Sequence, residues 1–270
     1  MSTLAAIDDD AAPRPVLVRL VLTVPGLALT RCAIVGAVLV AWELASGPLL
    51  PKFWLSSPSA IAALLLQWIV DGSLWRHLEG TLLAMLLGYA IGSAAGVAGG
   101  LALGFMPFVQ RVLTPYLAGL YALPKIALAP LFILLFGIDI ESKVALVAIT
   151  VFFMLLYSTL DGVRDVDRDL VRALELMGAS RREIGLKLLV PATLPWIFTG
   201  MRISVRYALT ATILGEMIGA NRGVGFLIEA NAGQYDATGV FAAVFVLVVC
   251  CVGLTELLTR AETSSRAGRI

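Results

Sequence analysis

The side chains able to do chemistry in this sequence are few, and several lie inside runs of apolar residues. Thr199, Arg202, Arg206 and Thr210 recur at i, i+3, i+7 and i+11. On a helix advancing 100° per residue they share an arc of about 80°. Lys125 follows Pro124 within LPKIALAPLFILLFGI (123–138), and Glu43 and Glu216 also stand among aliphatic neighbours. A charge at the centre of a bilayer costs on the order of 2.5–3.5 kcal/mol on insertion scales. Two arginines on one arc therefore face protein or water, and two readings stay open. Either the pair lines the path of an anionic solute, or Arg202 lies near a boundary, snorkelling or pairing with Asp161 or Asp165. Pro124 lacks the N–H that would occupy an earlier carbonyl. Lys125 can neutralise such a carbonyl, pair with Glu216, or meet solute. The candidate path residues are Lys125, Arg202, Arg206, Thr210 and Glu216.

Groups suited to catalysis are scarce. His77 is the single histidine, and Cys32, Cys250 and Cys251 make no C-x-x-C pair. No metal site or disulfide framework is expected from that set. The lysines 52, 125, 143 and 187 follow Pro, Pro, Ser and Leu. None can be the lysine of a phosphate-binding G-K-[ST] loop. The chain is expected not to be an enzyme and to hold no cofactor of its own. Basic residues are scattered between apolar runs, without the stripe that a nucleic-acid partner requires.

The elements that position these groups follow from composition. The hydrophobic fraction is 59% and the charged fraction 14%, with a mean hydropathy of +0.92. Soluble domains average roughly 45–50% and about 25%. This chain belongs in a bilayer as an all-α integral membrane protein. Runs able to cross about 30 Å of hydrocarbon fall near 29–50, 80–105, 112–137, 143–162, 194–219 and 238–258. Pro115, Pro124 and Pro130 should kink or break the third. The run 57–72 is too short to span and suits an interfacial helix. The N-terminus has Asp8, Asp9 and Asp10 ahead of Arg14 and Arg19, so no signal peptide is expected. Six spans place both termini on one side. That side collects Arg14, Arg19, Arg31, Arg111, Arg164, Arg168, Arg172, Arg181, Arg182, Lys187, Arg260, Arg266 and Arg269. The other keeps Lys52, Arg76, Lys143 and Arg222. The imbalance assigns both termini to the cytoplasm.

Two patterns stand out within this layout. Gly88, Gly92, Gly96, Gly100 and Gly104 repeat every four residues in the second span, a side-chain-free face roughly 24 Å long. Such faces let helices pack closely in lipid, and they also suit sliding. The second pattern is RALELMGASRREIGLKLLVP (172–191), a charged run between apolar spans. Leu170, Ala173, Leu174 and Met177 share one helix face. Gly178 suits a helix C-terminus, and Ser180 with Glu183 suits a capping box that starts a second short helix at Arg181. Pro191 ends that helix or opens the next span. A cytoplasmic amphipathic helix of this kind can rest on lipid headgroups or be gripped by a partner. The run 226–239 is too polar to span and suits a short re-entrant or interfacial helix that helps close an outer gate.

The run 172–191 resembles the E-A-A-x-x-x-G-x(9)-I-x-L-P signature of permease subunits of bacterial ABC importers. The match reads Arg172-Ala173-Leu174, Gly178, Leu188, Val190 and Pro191, with G-A-S-R at 178–181. Arg172 replaces the family's leading Glu, and Leu174 its second Ala. The likeness extends over about 75–262. Within it, 123–138 and 219–228 look like the branch importing nitrate, sulfonates, taurine, bicarbonate and vitamin precursors, and WLSSPSAIAALL (54–65), just ahead, matches that branch too. The resemblance implies six transmembrane helices with a five-helix type I importer core. It implies a permease domain over 29–262 with its coupling loop at 163–191, between cytoplasmic tails 1–28 and 263–270. Arg172, Ala173, Leu174, Glu175, Gly178, Ala179, Ser180 and Arg181 would form the coupling helix that docks on a separate ATPase subunit. The implied partners are a second copy of the chain, two ATPases binding ATP and magnesium, and an extracytoplasmic solute-binding protein. The implied setting is the multi-pass inner membrane of a bacterium. The solute would be a small anion such as a sulfonate, taurine or nitrate; a thiamine-pyrimidine or other vitamin precursor is the alternative. An ion-coupled secondary transporter would need paired broken helices, and the sequence offers one broken span without a partner.

Overall fold

A computed structural model describes residues 24–48, 51 and 53–267, with side chains over 29–48, 51 and 53–256. Residues 1–23 of the expected N-terminal tail, with Arg14 and Arg19, lie outside the described residues, as do Lys52 and 268–270 of the expected C-terminal tail. Every helix or strand element among the described residues is helical. The chain divides into two compact units, Met1–Ile61 and Ala62–Ile270.

In the first unit, α1 (Val24–Ala45) is a 22-residue helix in place of the expected span 29–50. After it the chain turns back on polar contacts. Trp42 Nε1 donates to the Ser56 carbonyl at 2.8 Å, and Ser46 Oγ to the Leu55 carbonyl at 2.8 Å. Glu43 accepts from the Ser59 amide at 2.9 Å and from its hydroxyl at 2.6 Å. A carboxylate at the N-terminal end of α2 (Pro58–Val70) is favoured by the free amides and the helix dipole there. That explains a lone glutamate in an apolar run.

In the second unit, α3 (Ser73–Phe105), α6 (Ile140–Arg164) and α9 (Val190–Ile218) share a core built on Met85, Leu146, Val147, Val151, Leu155, Val205 and Leu209. Asp71 accepts from the Ser73 amide at 2.8 Å as α3 begins. The Ser73 hydroxyl and amide hold its carboxyl below the usual range. The glycine stripe of α3 lies against α6. A Cβ at Gly88 would meet Val147 at 2.6 Å, at Gly92 the Ala148 carbonyl at 2.4 Å, at Gly96 the Phe152 carbonyl at 2.6 Å, and at Gly100 Thr159 at 2.6 Å. Gly104 meets Val163 at 2.9 Å in the same sense. All five helix-to-helix approaches leave no space for a methyl group without a shift, and the pairing of α3 with α6 is the most extensive among the described residues.

The expected third span is broken. Helix α4 (Pro107–Ala122) ends before Leu123–Pro124, a 3-10 turn covers Lys125–Leu128, and α5 (Ala129–Phe136) resumes at an angle of 81°. Leu123 is extended, as a residue before proline must be. Among the described residues, four helices are long and apolar enough to cross a membrane, and the bent pair makes up to five. The second short helix of the charged run does not stop at Pro191. Helix α8 (Arg181–Ile184) passes through a π turn (Gly185–Leu189) into α9 as one 38-residue length. Pro191 is the second residue of α9, directly after the π turn. After α9 come a ten-residue α10 (Val224–Gly233), where a re-entrant or interfacial helix was expected, and α11 (Ala237–Ala267).

Candidate functional sites

The charged run forms a sharp corner. Helix α7 (Arg168–Leu176) begins at Asp167, whose carboxylate accepts from the Asp169 amide at 2.8 Å. It closes at Gly178 with φ of +84°, a conformation that costs glycine least. The Gly178 amide donates to the Glu175 carbonyl and the Ala179 amide to the Leu174 carbonyl, both at 3.0 Å. This pair of bonds satisfies two carbonyls at the helix end. Ser180 Oγ then accepts from the Glu183 amide at 3.3 Å, and the Glu183 carboxylate accepts from the Ser180 amide at 3.0 Å. Arg172, Ala173, Glu175, Gly178, Ser180 and Arg181 are exposed, and Leu174 and Ala179 half-buried. Leu176 is 89% and Met177 81% exposed. The corner thus presents apolar side chains that no described residue covers. The flanking pairs Arg172–Asp169 (3.3 Å) and Lys187–Glu183 (3.4 Å) are exposed and contribute little.

A cleft of about 280 Å³ opens at the break between α4 and α5, with Tyr121, Lys125, Thr150, Met154, Tyr207 and Thr210 in its wall. Thr150 lies about 15 Å along α6, so the cleft is near mid-span. Its lining holds one cation and no carboxylate. Lys125 Nζ donates to the Tyr121 carbonyl and lies 4.2 Å from the Tyr121 ring centroid. Of the two arginines on the shared arc, Arg206 is exposed one residue from Tyr207, and its carbonyl accepts from Thr210 Oγ1 at 2.9 Å. Arg202 is half-buried. Asp161 pairs with Arg164 at 3.4 Å, and Asp165 accepts from the Trp196 indole at 3.2 Å.

Glu216, grouped with Lys125 in the sequence reading, lines a different cavity from it. It is 3% exposed and lies near the far end of α9, against α3 and the start of α10. Its carboxylate accepts from Thr81 Oγ1 at 3.0 Å and from the Gly225 amide at 2.8 Å. Two cations, Lys143 (4% exposed) and Arg222, share the wall of a small cavity with it. Lys143 donates to the Ile138 and Asp139 carbonyls at the start of α6. Thr81 Oγ1 also accepts from the Val224 amide at 2.8 Å, and His77 Nδ1 from the Gly223 amide at 3.1 Å. Gly223 has φ of +124°, and a Cβ there would lie 2.3 Å from the Glu216 carboxyl carbon. These contacts clamp the loop before α10 onto α3 and α9. Sequence reasoning did not find Thr81, His77 and Lys143. The signals were faint: one histidine, a threonine in an apolar run, and the glycines of NRGVG (221–225).

Comparison with known proteins places the fold. A family model described as "Binding-protein-dependent transport system inner membrane component" matches residues 88–262. The formylaminopyrimidine transport permease protein ThiX of Halalkalibacterium halodurans is 34% identical over 209 residues, which is 77% of this chain and 83% of that one. The taurine transport system permease protein TauC of Escherichia coli is 32% identical and 82% of each chain is covered. The riboflavin transport system permease protein RibX of Chloroflexus aurantiacus is 37% identical, covering 79% of this chain and 82% of its own. Among solved structures, an inward-facing MetNI methionine ABC transporter chain matches with a TM-score of 0.57 and 20% identity. It covers 74% of this chain and 96% of that chain, a likeness of fold.

Proposed function

Because the chain belongs to the family of binding-protein-dependent transport inner-membrane components and is an ABC importer permease, we propose that it passes a small anion through the cleft at Lys125. The observation that carries this reading is the cleft itself: one cation, no carboxylate, hydroxyls from Thr150 and Thr210, and a position at the break of a span. An ammonium group near mid-membrane favours a negative ligand, because little water competes for it there. Arg206 beside Tyr207 extends the same field along α9.

Motion would come from outside the chain. No lysine sits in a phosphate-binding loop sequence, so hydrolysis is assigned to two ATPase subunits that bind ATP with magnesium. The corner at Gly178, with Leu176 and Met177 uncovered, is the handle they grip, and the charge imbalance assigns it to the cytoplasmic side with both termini. The 38-residue helix from Arg181 to Ile218 carries displacement of that corner along the span. Two copies of the chain would enclose one path. A binding protein would deliver solute from the other side, over the loop clamped by Glu216. A second reading draws on Tyr121 and Tyr207 in the cleft wall, which suit a flat heterocycle; ThiX and RibX, by their names, serve such molecules.

The test is uptake into proteoliposomes holding the chain with its ATPase and binding protein. Taurine, an alkanesulfonate and nitrate are compared with formylaminopyrimidine and riboflavin, in wild type and Lys125→Met. The anion reading expects uptake of one of the three solutes that carry a sulfonate or nitrate group and a loss of about tenfold or more in the variant, equivalent to about 1.4 kcal/mol. Uptake of a heterocycle alone, insensitive to Lys125→Met, rejects it.

A further inference from the structure

A second cavity, about 670 Å³, opens at the opposite end of the spans from Glu216, at the root of α7. Its wall includes Gln110, Arg111 and Thr114 from α4, Arg164 from the end of α6, Arg168 at the start of α7, and Leu189 from the π turn. Three arginines from three helices line it, and no carboxylate of the described residues does. Arg164 is partly compensated: Asp161 pairs with it at 3.4 Å. With the Gln110 amide O and N exchanged so that donors face acceptors, its oxygen accepts from Arg164 Nη2 at 3.1 Å and Nε at 3.2 Å. Arg111 and Arg168 form no ion pair with a described residue. The nearby acids Asp167 and Asp169 are engaged by the first turn of α7 and by Arg172.

The helix ends sharpen the imbalance. Arg168 is the first residue of α7, and Arg111 lies early in α4, whose first turn holds no acid. Helix N-termini are positive ends that favour anions and disfavour cations. Arg111, with no acid in the first turn of its helix and no ion pair with a described residue, leaves room for a negative group. Guanidinium forks match the oxygens of phosphate, and the Gln110 side-chain NH2 adds a further donor, while Thr114 Oγ1 already donates to the Gln110 carbonyl at 2.7 Å.

We propose that this cavity binds a phosphate-class anion, either the headgroup of an anionic phospholipid or free phosphate. Basic pockets between spans at the membrane surface recognise such headgroups. A bound anion would tie α4, α6 and α7 together and set the pose of the corner at Gly178, so its presence would tune coupling. Placement in the cytoplasmic leaflet rests on the orientation proposed above. The binding test reads the cavity whichever leaflet it faces.

The full chain is purified in mild detergent with its co-expressed partners. Native mass spectrometry scores retention of phosphatidylglycerol against phosphatidylcholine, and thermal melting is followed as inorganic phosphate is added to the delipidated complex. Wild type, R111Q/R168Q and R111K/R168K are compared. Loss of two charged donors should cut retention or the phosphate-induced shift by about tenfold or more, and the lysine variant should recover part of it, which separates charge recognition from misfolding. Selective retention of phosphatidylglycerol identifies a lipid headgroup; a shift with phosphate alone identifies a soluble anion. Equal retention of both lipids with no phosphate shift in wild type overturns the proposal, as does R111Q/R168Q behaving like wild type.

Discussion

Glu216 is the residue on which the end of α9 depends. Its carboxylate takes the Gly225 amide and the Thr81 hydroxyl inside a region with 3% of its own surface exposed. Truncation would leave the Gly225 N–H buried without an acceptor, at a cost of about 1–3 kcal/mol. Glu216→Ala is therefore expected to lower the melting temperature of the detergent-solubilised chain, while Glu216→Gln, which keeps a carbonyl acceptor, recovers part of the loss. An unchanged melting curve for Glu216→Ala would mean that the clamp carries no stability. Residue types alone showed that Glu216 was buried and engaged, because an acid in an apolar run must be. They did not choose its partner. The sequence offered Lys125 as a partner, and packing instead brought Lys143 near and left Lys125 on the Tyr121 carbonyl.

At the scale of the element, α3 and α6 are matched through glycine. The period of four made the stripe visible in sequence, since it keeps one helix face bare. What it faced was decided by the Ala148, Phe152 and Leu156 carbonyls, which approach the glycine backbone so closely that no side chain fits. Gly96→Leu must push α6 away, because a backbone carbonyl at 2.6 Å cannot swing aside. The expected outcome is loss of monodisperse protein in size-exclusion chromatography; a well-folded variant would show that the two helices can separate at this point. The break at Pro124 was also legible, through proline's missing donor and the restricted residue before it. The π turn at Gly185–Leu189 was not. It depends on Gly185 meeting the Phe105 ring, where a Cβ would lie 2.3 Å from a ring carbon, and that is a contact between residues far apart in sequence.

For the whole molecule, the Lys125 cleft is open on one side, and the arc holding Thr199 and Arg206 is exposed in the single chain. A charged face of this kind is costly against lipid, so a second copy should cover it. Mass measured by light scattering on the purified complex is expected to correspond to two copies of this chain with two ATPases; one copy per complex would contradict the shared path. Sequence by itself determined the membrane setting, the broken span, the corner at Gly178 and the family, because hydropathy, proline, glycine and cap residues act locally and leave a periodic trace. Tertiary structure alone decided which polar groups meet. It separated Glu216 from the cleft, joined His77 and Thr81 to the loop before α10, and gathered Arg111, Arg164 and Arg168 around one cavity. Those choices depend on the rotation and depth of helices relative to one another, and no spacing within a single helix encodes them.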